Sequence, residues 1–240
     1  IKDRCHRYGV KTLWVGEEIL SESISQSLKG QSFQVQIPPH QPLKLKTRLA
    51  GTHQVMNAAV AIGVGESLRR LGFRISSEAI IRGIENTLWP GRFEVISIRP
   101  LVILDGAHNP ASAQVLVKTL REILPEKRVT LILGISMDKD KRGIAFELQK
   151  IAQRIIFTRA NHPRSCDCTL NELRDLFPKK DLIKTQDVPE ALNAALEKIT
   201  DDEALLVSGS LFVVGEARRY LMKIGILVPA SVRCEHGSLE

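Results

Sequence analysis

The feature that most constrains the fold is the alternation of short apolar runs with longer helical patterns from residue 93 onward. Six strands are predicted here: Phe93–Ile98, Leu101–Leu104, Val129–Leu133, Arg154–Thr158, Leu182–Lys184 and Ala204–Val207. Helices are predicted between and after them: Pro110–Leu124, Gly143–Gln153, Leu170–Phe177, Pro189–Ile199 and Leu211–Ile224. Strands that alternate with helices indicate an α/β fold, here a Rossmann-like domain with a mostly parallel sheet and right-handed crossovers.

The segment before this domain has a different pattern. Short strand-like runs occur at Thr12–Val15, Phe33–Ile37 and Leu43–Leu49. Helical spacing follows over Gln54–Leu71 and again over Ser77–Thr87, where Ser76 or Ser77 can cap the helix. Residues 1 to about 50 lack the length and pattern of an independent domain.

A domain boundary is predicted where Trp89-Pro90-Gly91 interrupts the helical pattern. It divides the chain into an incomplete first part at 1–90, the α/β domain at 91–228 and a tail at 229–240.

Composition excludes some classes of partner. The net charge of +7 is dispersed, and the aromatic content of 5% disfavours stacking on single-stranded nucleic acid. No apolar run approaches the roughly 18 residues that span a bilayer. We therefore expect no nucleic acid and no membrane partner.

The four cysteines form no regular framework and no secretory signal opens the chain, which predicts a cytoplasmic location. His162, Cys166 and Cys168 are too few for a structural zinc site, so no metal site is expected. Ring strain also disfavours a disulfide between Cys166 and Cys168, which one residue separates.

The stretch Leu101–Pro110, LVILDGAHNP, joins a buried strand to a helix. Asn109 can cap that helix and Pro110 suits its first turn. Asp105 and His108 then lie at the carboxyl end of a strand, where open α/β sheets bind ligands. Asp105 could accept hydrogen bonds from both hydroxyls of a ribose, or it could cap nearby backbone amides; position alone favours neither.

Each of the other polar candidates has one ligand-binding and one structural interpretation. Arg92 could contact a phosphate or form an interdomain salt bridge, and Asn57 could pair with the edge of adenine or act in local capping and packing. Asp138-Lys139-Asp140 is a solvated loop or part of the ligand side of the sheet. Ser208-Gly209-Ser210 caps the last helix or holds an anion at its N-terminus. No G-x-x-x-x-G-K-[ST] phosphate loop occurs in the chain.

Taken together, five motifs resemble the C-terminal half of folylpolyglutamate and dihydrofolate synthases, which belong to the Mur ligase superfamily. They are GTHQVMNAAVA, LWPGRFE, LDGAHNP, GISMDKDK and SGSLFVVGE, within residues 45 to 225. The resemblance implies ATP-dependent amide-bond formation. MgATP phosphorylates a carboxylate of folate or dihydropteroate, and the amine of L-glutamate attacks the acyl phosphate.

The resemblance also implies roles for individual residues. Asn57 would lie near adenine, Asp105 near the ribose and Arg92 near the phosphates, with His108 in the same cleft; Arg92 and His108 are the catalytic candidates. The Mg²⁺ ligands and the phosphate loop would lie in an N-terminal part that this chain lacks. Residues 1–90 would then be a remnant of the central ATPase domain, and we expect no catalysis by this chain alone.

Two other functions stay open at this point. One is another Mur-type ligase that joins amino acids to a peptidoglycan precursor. The other is a non-catalytic nucleotide-binding module on the same fold.

Overall fold

The computed structural model describes residues 1–38 and 41–227. The chain forms two compact units, Ile1–Leu88 and a second unit that begins at Trp89, close to the boundary predicted at residue 90. The predicted tail at 229–240 lies outside the described residues. That the first unit belongs to a larger central domain stays a prediction.

The first unit is an antiparallel sheet covered by helices. Its elements are α1 (Lys2–Arg7), β1 (Leu20–Ser27), β2 (Gly30–Gln36), β3 (Leu43–Thr47), α2 (Thr52–Arg70) and α3 (Ser77–Glu85), and the strands pair in the order β1-β2-β3. Alternate residues of β2, Phe33 and Val35, face the buried side of α2, which presents Val55, Ala59 and Ile62. The predicted cap of α3 is confirmed at Ser76, whose Oγ accepts from Ala79 N–H at 3.1 Å.

One prediction in this unit is wrong, and one strand of the unit is not predicted by the sequence. Thr12–Val15 is not a strand, because only Val15 pairs, in an isolated bridge with Ile19. The sequence pattern does not predict β1. Its sequence, LSESISQS, has no apolar face, and it is held by backbone pairing along β2. A search for apolar periodicity does not detect a strand of this kind.

The second unit contains a six-stranded sheet with the strand order β4-β5-β9-β6-β7-β8. Its strands are β4 (Glu94–Ile98), β5 (Leu101–Leu104), β6 (Arg128–Leu133), β7 (Ala152–Phe157), β8 (Asp181–Lys184) and β9 (Glu203–Ser208). Its helices are α4 (Pro110–Ile123), α5 (Lys141–Leu148), α6 (Leu170–Leu176), α7 (Val188–Leu196) and α8 (Leu211–Lys223). All strand pairs are parallel except β4 with β5, so the predicted mostly parallel α/β sheet is confirmed.

The last strand of the described residues, β9, occupies the middle of this sheet. β9 lies between β5 and β6, and all six of its residues are buried. Strands covered on both faces have continuous apolar sequences, which explains why Leu101–Leu104 and Ala204–Val207 show no alternation. The turns that follow β5, β6 and β9 consequently meet at one edge of the sheet.

The helix predicted over Gly143–Gln153 is placed incorrectly at both ends. α5 begins at Lys141, because the Asp140 carboxylate caps it by accepting from Gly143 N–H at 2.9 Å. It ends at Leu148, and β7 already begins at Ala152, which pairs with Val129. Packing in the sheet overrides the local helical pattern there. Within the described residues, none of the helices has the length and apolar character of a membrane span.

A substitution at Gly209 tests the packing of the turn after β9. Its φ is +98°, and a Cβ there would lie 2.5 Å from Leu133 Cδ1 and 2.6 Å from the Gly134 carbonyl oxygen. Because φ strain and overlap with backbone combine, Gly209→Ala should lower the free energy of unfolding by about 3 kcal/mol. In the matched control, Gly225→Ala, φ is +77° with open space around the Cβ, and the loss should be about 1 kcal/mol. Equal losses in urea denaturation would contradict this packing.

Candidate functional site

The turns after β5 and β9 are joined at the carboxyl edge of the sheet. Asp105 N–H donates to the Val207 carbonyl and Gly209 N–H donates to the Ala107 carbonyl, each at 3.0 Å. These bonds continue the pairing of β5 with β9 beyond the strands themselves. The two turns therefore form one rigid corner.

Two helices begin at this corner. The Asn109 side chain accepts from Ser112 N–H at 2.8 Å and caps α4, and Pro110 occupies the first turn, as predicted. Ser210 caps α8, since its Oγ accepts from Phe212 N–H at 3.2 Å. Helix N-termini carry partial positive charge, so this edge of the sheet favours anions.

A third turn, Pro90-Gly91-Arg92, is attached to the same corner. Gly106 N–H donates to the Gly91 carbonyl at 2.7 Å. Glu94 Oε2 accepts from Gly91 N–H at 2.9 Å, while Glu94 Oε1 accepts from Arg218 Nε at 3.1 Å. Sequence reasoning missed Glu94 and Arg218, because no local pattern pairs residues that are 124 positions apart.

The Asp105 carboxylate connects two of these turns. Its Oδ2 accepts from Phe93 N–H and its Oδ1 accepts from Ala107 N–H, both at 2.8 Å. Of the two interpretations left open by the sequence, the capping of backbone amides is therefore present. Each carboxylate oxygen still has a second lone pair for another donor.

Phe93 is a buried residue with a φ of +44°, a conformation that bulky side chains rarely adopt. The hydrogen bond from its N–H to Asp105 holds this strained residue in place. Strained backbone of this kind is concentrated at functional sites in proteins.

Burial raises the pKa of Asp105 above its ordinary value. The N–H groups of Phe93 and Ala107 lower the pKa in part, as do the charges of Arg92 and His108. Burial is the largest of these effects, so the corner contains a carboxylate that gains a proton more readily than one in water.

Arg92 and His108 flank Asp105 in the same unit. A Cβ on Gly106 would lie 3.2 Å from Arg92 Nη1, so glycine allows the guanidinium to pass close to the backbone. Among the described residues, no salt bridge or hydrogen bond involves the Arg92 guanidinium. His108 Nδ1 lies 2.8 Å from the Gly106 carbonyl, which can only accept, so Nδ1 carries a hydrogen; in the neutral form of the ring, Nε2 is then the acceptor.

Asn57 belongs to the first unit, whereas Arg92, Asp105 and His108 belong to the second. It is exposed on α2, and its Nδ2 donates to Gln54 Oε1 at 3.0 Å, so the local interpretation is present. Met56, Val60 and Val64 are 48%, 49% and 54% exposed on α2 as well. Spaced four residues apart, they form an apolar stripe beside Asn57.

The remaining candidate loops are partly structural. Lys139 pairs with Asp138 at 3.0 Å, and Asp140 caps α5. Ser208 Oγ is buried and has no hydrogen-bond partner among the described residues. In that same part of the chain, no group of three His, Cys, Asp or Glu side chains is arranged to hold a metal ion.

Comparison with known proteins assigns the family. The Mur ligase, glutamate ligase domain family matches residues 91–211, roughly half of the chain, so the chain belongs to the Mur ligase family. The match includes Arg92, Asp105 and His108.

The similar proteins confirm the resemblance to folylpolyglutamate and dihydrofolate synthases that the sequence motifs indicate. The dihydrofolate synthase/folylpolyglutamate synthase of Bacillus subtilis is 29% identical over 181 residues, covering 74% of this chain and 41% of that protein. The crystal structure of folylpolyglutamate synthase from Thermotoga maritima superimposes with a TM-score of 0.75 at 30% identity, over 94% of this chain and 51% of that one. The structure of Escherichia coli FolC in complex with DHPP and ADP gives a TM-score of 0.79 at 25% identity, over 93% and 50%. The chain thus spans about half the length of these relatives.

The raised pKa of Asp105 predicts how stability depends on pH. The folded state binds this proton more tightly than the unfolded state, whose pKa stays near 3.8. Relative to Asp105→Asn, the unmodified chain should therefore gain stability as the pH falls through the folded pKa of Asp105, with the gain complete below the unfolded value. Urea denaturation of both chains at a series of pH values measures this difference. If the difference in stability between the two chains stayed constant with pH, or changed in the opposite direction, burial would not be the dominant effect on the pKa of Asp105.

Proposed function

We propose that this chain is the C-terminal part of an ATP-dependent ligase that joins L-glutamate to a folate through an amide bond. The observation that carries the proposal is the corner at the carboxyl edge of the sheet. There, three hydrogen-bonded turns present Arg92, Asp105 and His108 in a chain that belongs to the Mur ligase family. The Bacillus subtilis relative is a dihydrofolate synthase/folylpolyglutamate synthase, and dihydropteroate is therefore a second candidate substrate.

The residues of the corner fit a nucleotide. ATP, when bound, supplies the phosphoryl group that activates the carboxylate of the substrate. The free lone pairs of Asp105 can accept from ribose hydroxyls while Phe93 and Ala107 continue to donate. Arg92 can donate to phosphate oxygens in a bidentate manner, because its guanidinium has no partner among the described residues.

We assign His108 a role beside the reacting groups. The hydrogen bond from Nδ1 to the Gly106 carbonyl orients the ring, and in the neutral form of the ring Nε2 is the acceptor. An acceptor in this position can take a hydrogen bond, or the proton, from an attacking amine. The ring would act from a rigid turn, so its orientation is set before the substrate binds.

Asn57 is assigned to the adenine edge. Its Oδ1 and its second amide hydrogen stay available while Nδ2 donates to Gln54, so the side chain keeps one acceptor and one donor. Among the described residues no group of three His, Cys, Asp or Glu side chains is arranged to hold a metal ion. We therefore assign the Mg²⁺ ligands and the phosphate loop to a part of the ligase outside this chain. The three described cysteines are free, which supports a reducing, cytoplasmic location.

A longer protein that contains this chain provides the test. Given ATP, Mg²⁺, tetrahydrofolate and L-glutamate, it should form tetrahydrofolyl diglutamate, ADP and phosphate, while the 240-residue chain alone should form none of them. Arg92→Lys should lower kcat/KM for ATP at least about tenfold, because lysine cannot form the bidentate contact. Arg99→Lys, an exposed change in the turn between β4 and β5, should leave kcat/KM within about twofold.

Substrate exchange separates the alternatives. Replacing folate with a peptidoglycan precursor in the same assay should abolish product formation; product from that precursor would identify a different Mur-type ligase. Folate-dependent ATP turnover by the isolated chain, or equal effects of the two arginine variants, would contradict the proposal.

A further inference from the structure

Two buried thiols lie together on the loop between β7 and α6. Cys166 is 6% exposed and Cys168 is 1% exposed, and their Sγ atoms are 2.9 Å apart, with one thiol donating to the other. Both cysteines are free. None of the groups of the nucleotide corner takes part in this cluster.

The loop that carries the thiols is fixed at several points. Cys166 N–H donates to the Ile135 carbonyl at 2.9 Å, and Met137 N–H donates to the Arg164 carbonyl at 2.8 Å. Directly after Cys168, Thr169 caps α6. The short distance between the two sulfur atoms is therefore held by backbone contacts on both sides.

A cation lies beside the pair. Lys141 Nζ is 3.6 Å from Cys166 Sγ, and the two cysteines raise the pKa of Lys141, so its ammonium form is retained. An ammonium group at this distance stabilises negative charge on sulfur. Burial, followed by the hydrogen bond and the charge of Cys166, raises the pKa of Cys168 to about 12. Cys168 therefore keeps its proton, and a sulfur of the pair that gives up its proton during a reaction does so beside the Lys141 ammonium group.

Small molecules have a route to this pair. A cavity of about 620 Å³ is lined by Cys168 and Lys141, together with Arg142, Phe146 and Glu172. It offers both positive and negative side chains to a zwitterionic molecule. Both thiols are thus shielded from bulk solvent, and Cys168 adjoins a space of small-molecule size.

We propose that Cys166 and Cys168 form a reversible dithiol–disulfide site that exchanges with low-molecular-weight peptide disulfides. One cysteine thiol gives up its proton as its sulfur attacks one sulfur of the small disulfide. The S–S bond of that disulfide breaks, and the small thiolate that leaves takes up this proton. The second cysteine loses its proton, and its sulfur attacks the protein sulfur of the mixed disulfide. The second small thiolate leaves and takes up that proton. Two protein thiols are oxidised and one small disulfide is reduced to two thiols.

Because only one residue separates Cys166 from Cys168, a disulfide bond between them is labile. The ring closed by Cys166 and Cys168 is strained, which is why the sequence disfavours a permanent disulfide here. Strained disulfides are more easily reduced than structural ones and are characteristic of regulatory sites. Proximity and strain together predict a bond that forms under oxidising conditions and opens again under reducing ones.

The test uses the 240-residue chain with Cys5→Ser and Cys234→Ser, so that only the pair remains. After native incubation with oxidised glutathione and acid quenching, the mass should fall by about 2 Da with no glutathione adduct, and reduced glutathione should restore it. Cys166→Ser and Cys168→Ser in this background remove one partner, so at least one of them should retain a glutathione adduct. Peptide mapping of the unmodified chain locates the same bond without any substitution.

Lys141→Met should slow oxidation about tenfold, because the anionic sulfur loses its cation. Arg142→Met is the matched control from the same cavity and should change the rate by less than about twofold. The proposal is overturned if both thiols stay reduced in the folded chain yet oxidise in urea. It is equally overturned if the folded chain stops at a glutathione adduct. Neither result depends on the ligase activity.

Discussion

The arrangement of the candidate site depends on one carboxylate. Asp105 accepts backbone N–H groups from the turn before β4 and from the turn after β5, and these two bonds hold a strained Phe93 in place. Leaving a buried N–H without a partner costs about 1–3 kcal/mol, so these contacts are a substantial part of what orders the corner. Arg92 and His108 take their positions from the same two turns.

Asp105 is therefore a structural residue whether or not it also binds a nucleotide. Removing its side chain changes the turns as well as any ribose contact, so a loss of nucleotide affinity in Asp105→Ala would not separate the two roles. Arg92 separates them better, because its guanidinium has no partner among the described residues. We propose that the Asp105 carboxylate orders the corner with one set of lone pairs and offers the other set to a ligand.

Much of the second unit could be predicted from the sequence, because its signals are local. The apolar run at Leu101–Leu104 and the cap at Asn109 are adjacent in the chain and lead directly to a strand and a helix. Contacts between distant residues could not be predicted in this way: the pairing of Glu94 with Arg218 and the approach of Gly106 to Gly91 exist only after the sheet has formed. The polar strand β1 escaped prediction for a related reason, since backbone pairing defines it without an apolar face.

The most direct test is a crystal structure of a longer protein that contains this chain, with a non-hydrolysable ATP analogue. Both ribose hydroxyls should donate to the Asp105 carboxylate while Phe93 and Ala107 still donate to it, with Arg92 at the phosphates. A ribose bound elsewhere, with the Asp105 corner unchanged, would contradict this binding mode and leave Asp105 with a structural role alone.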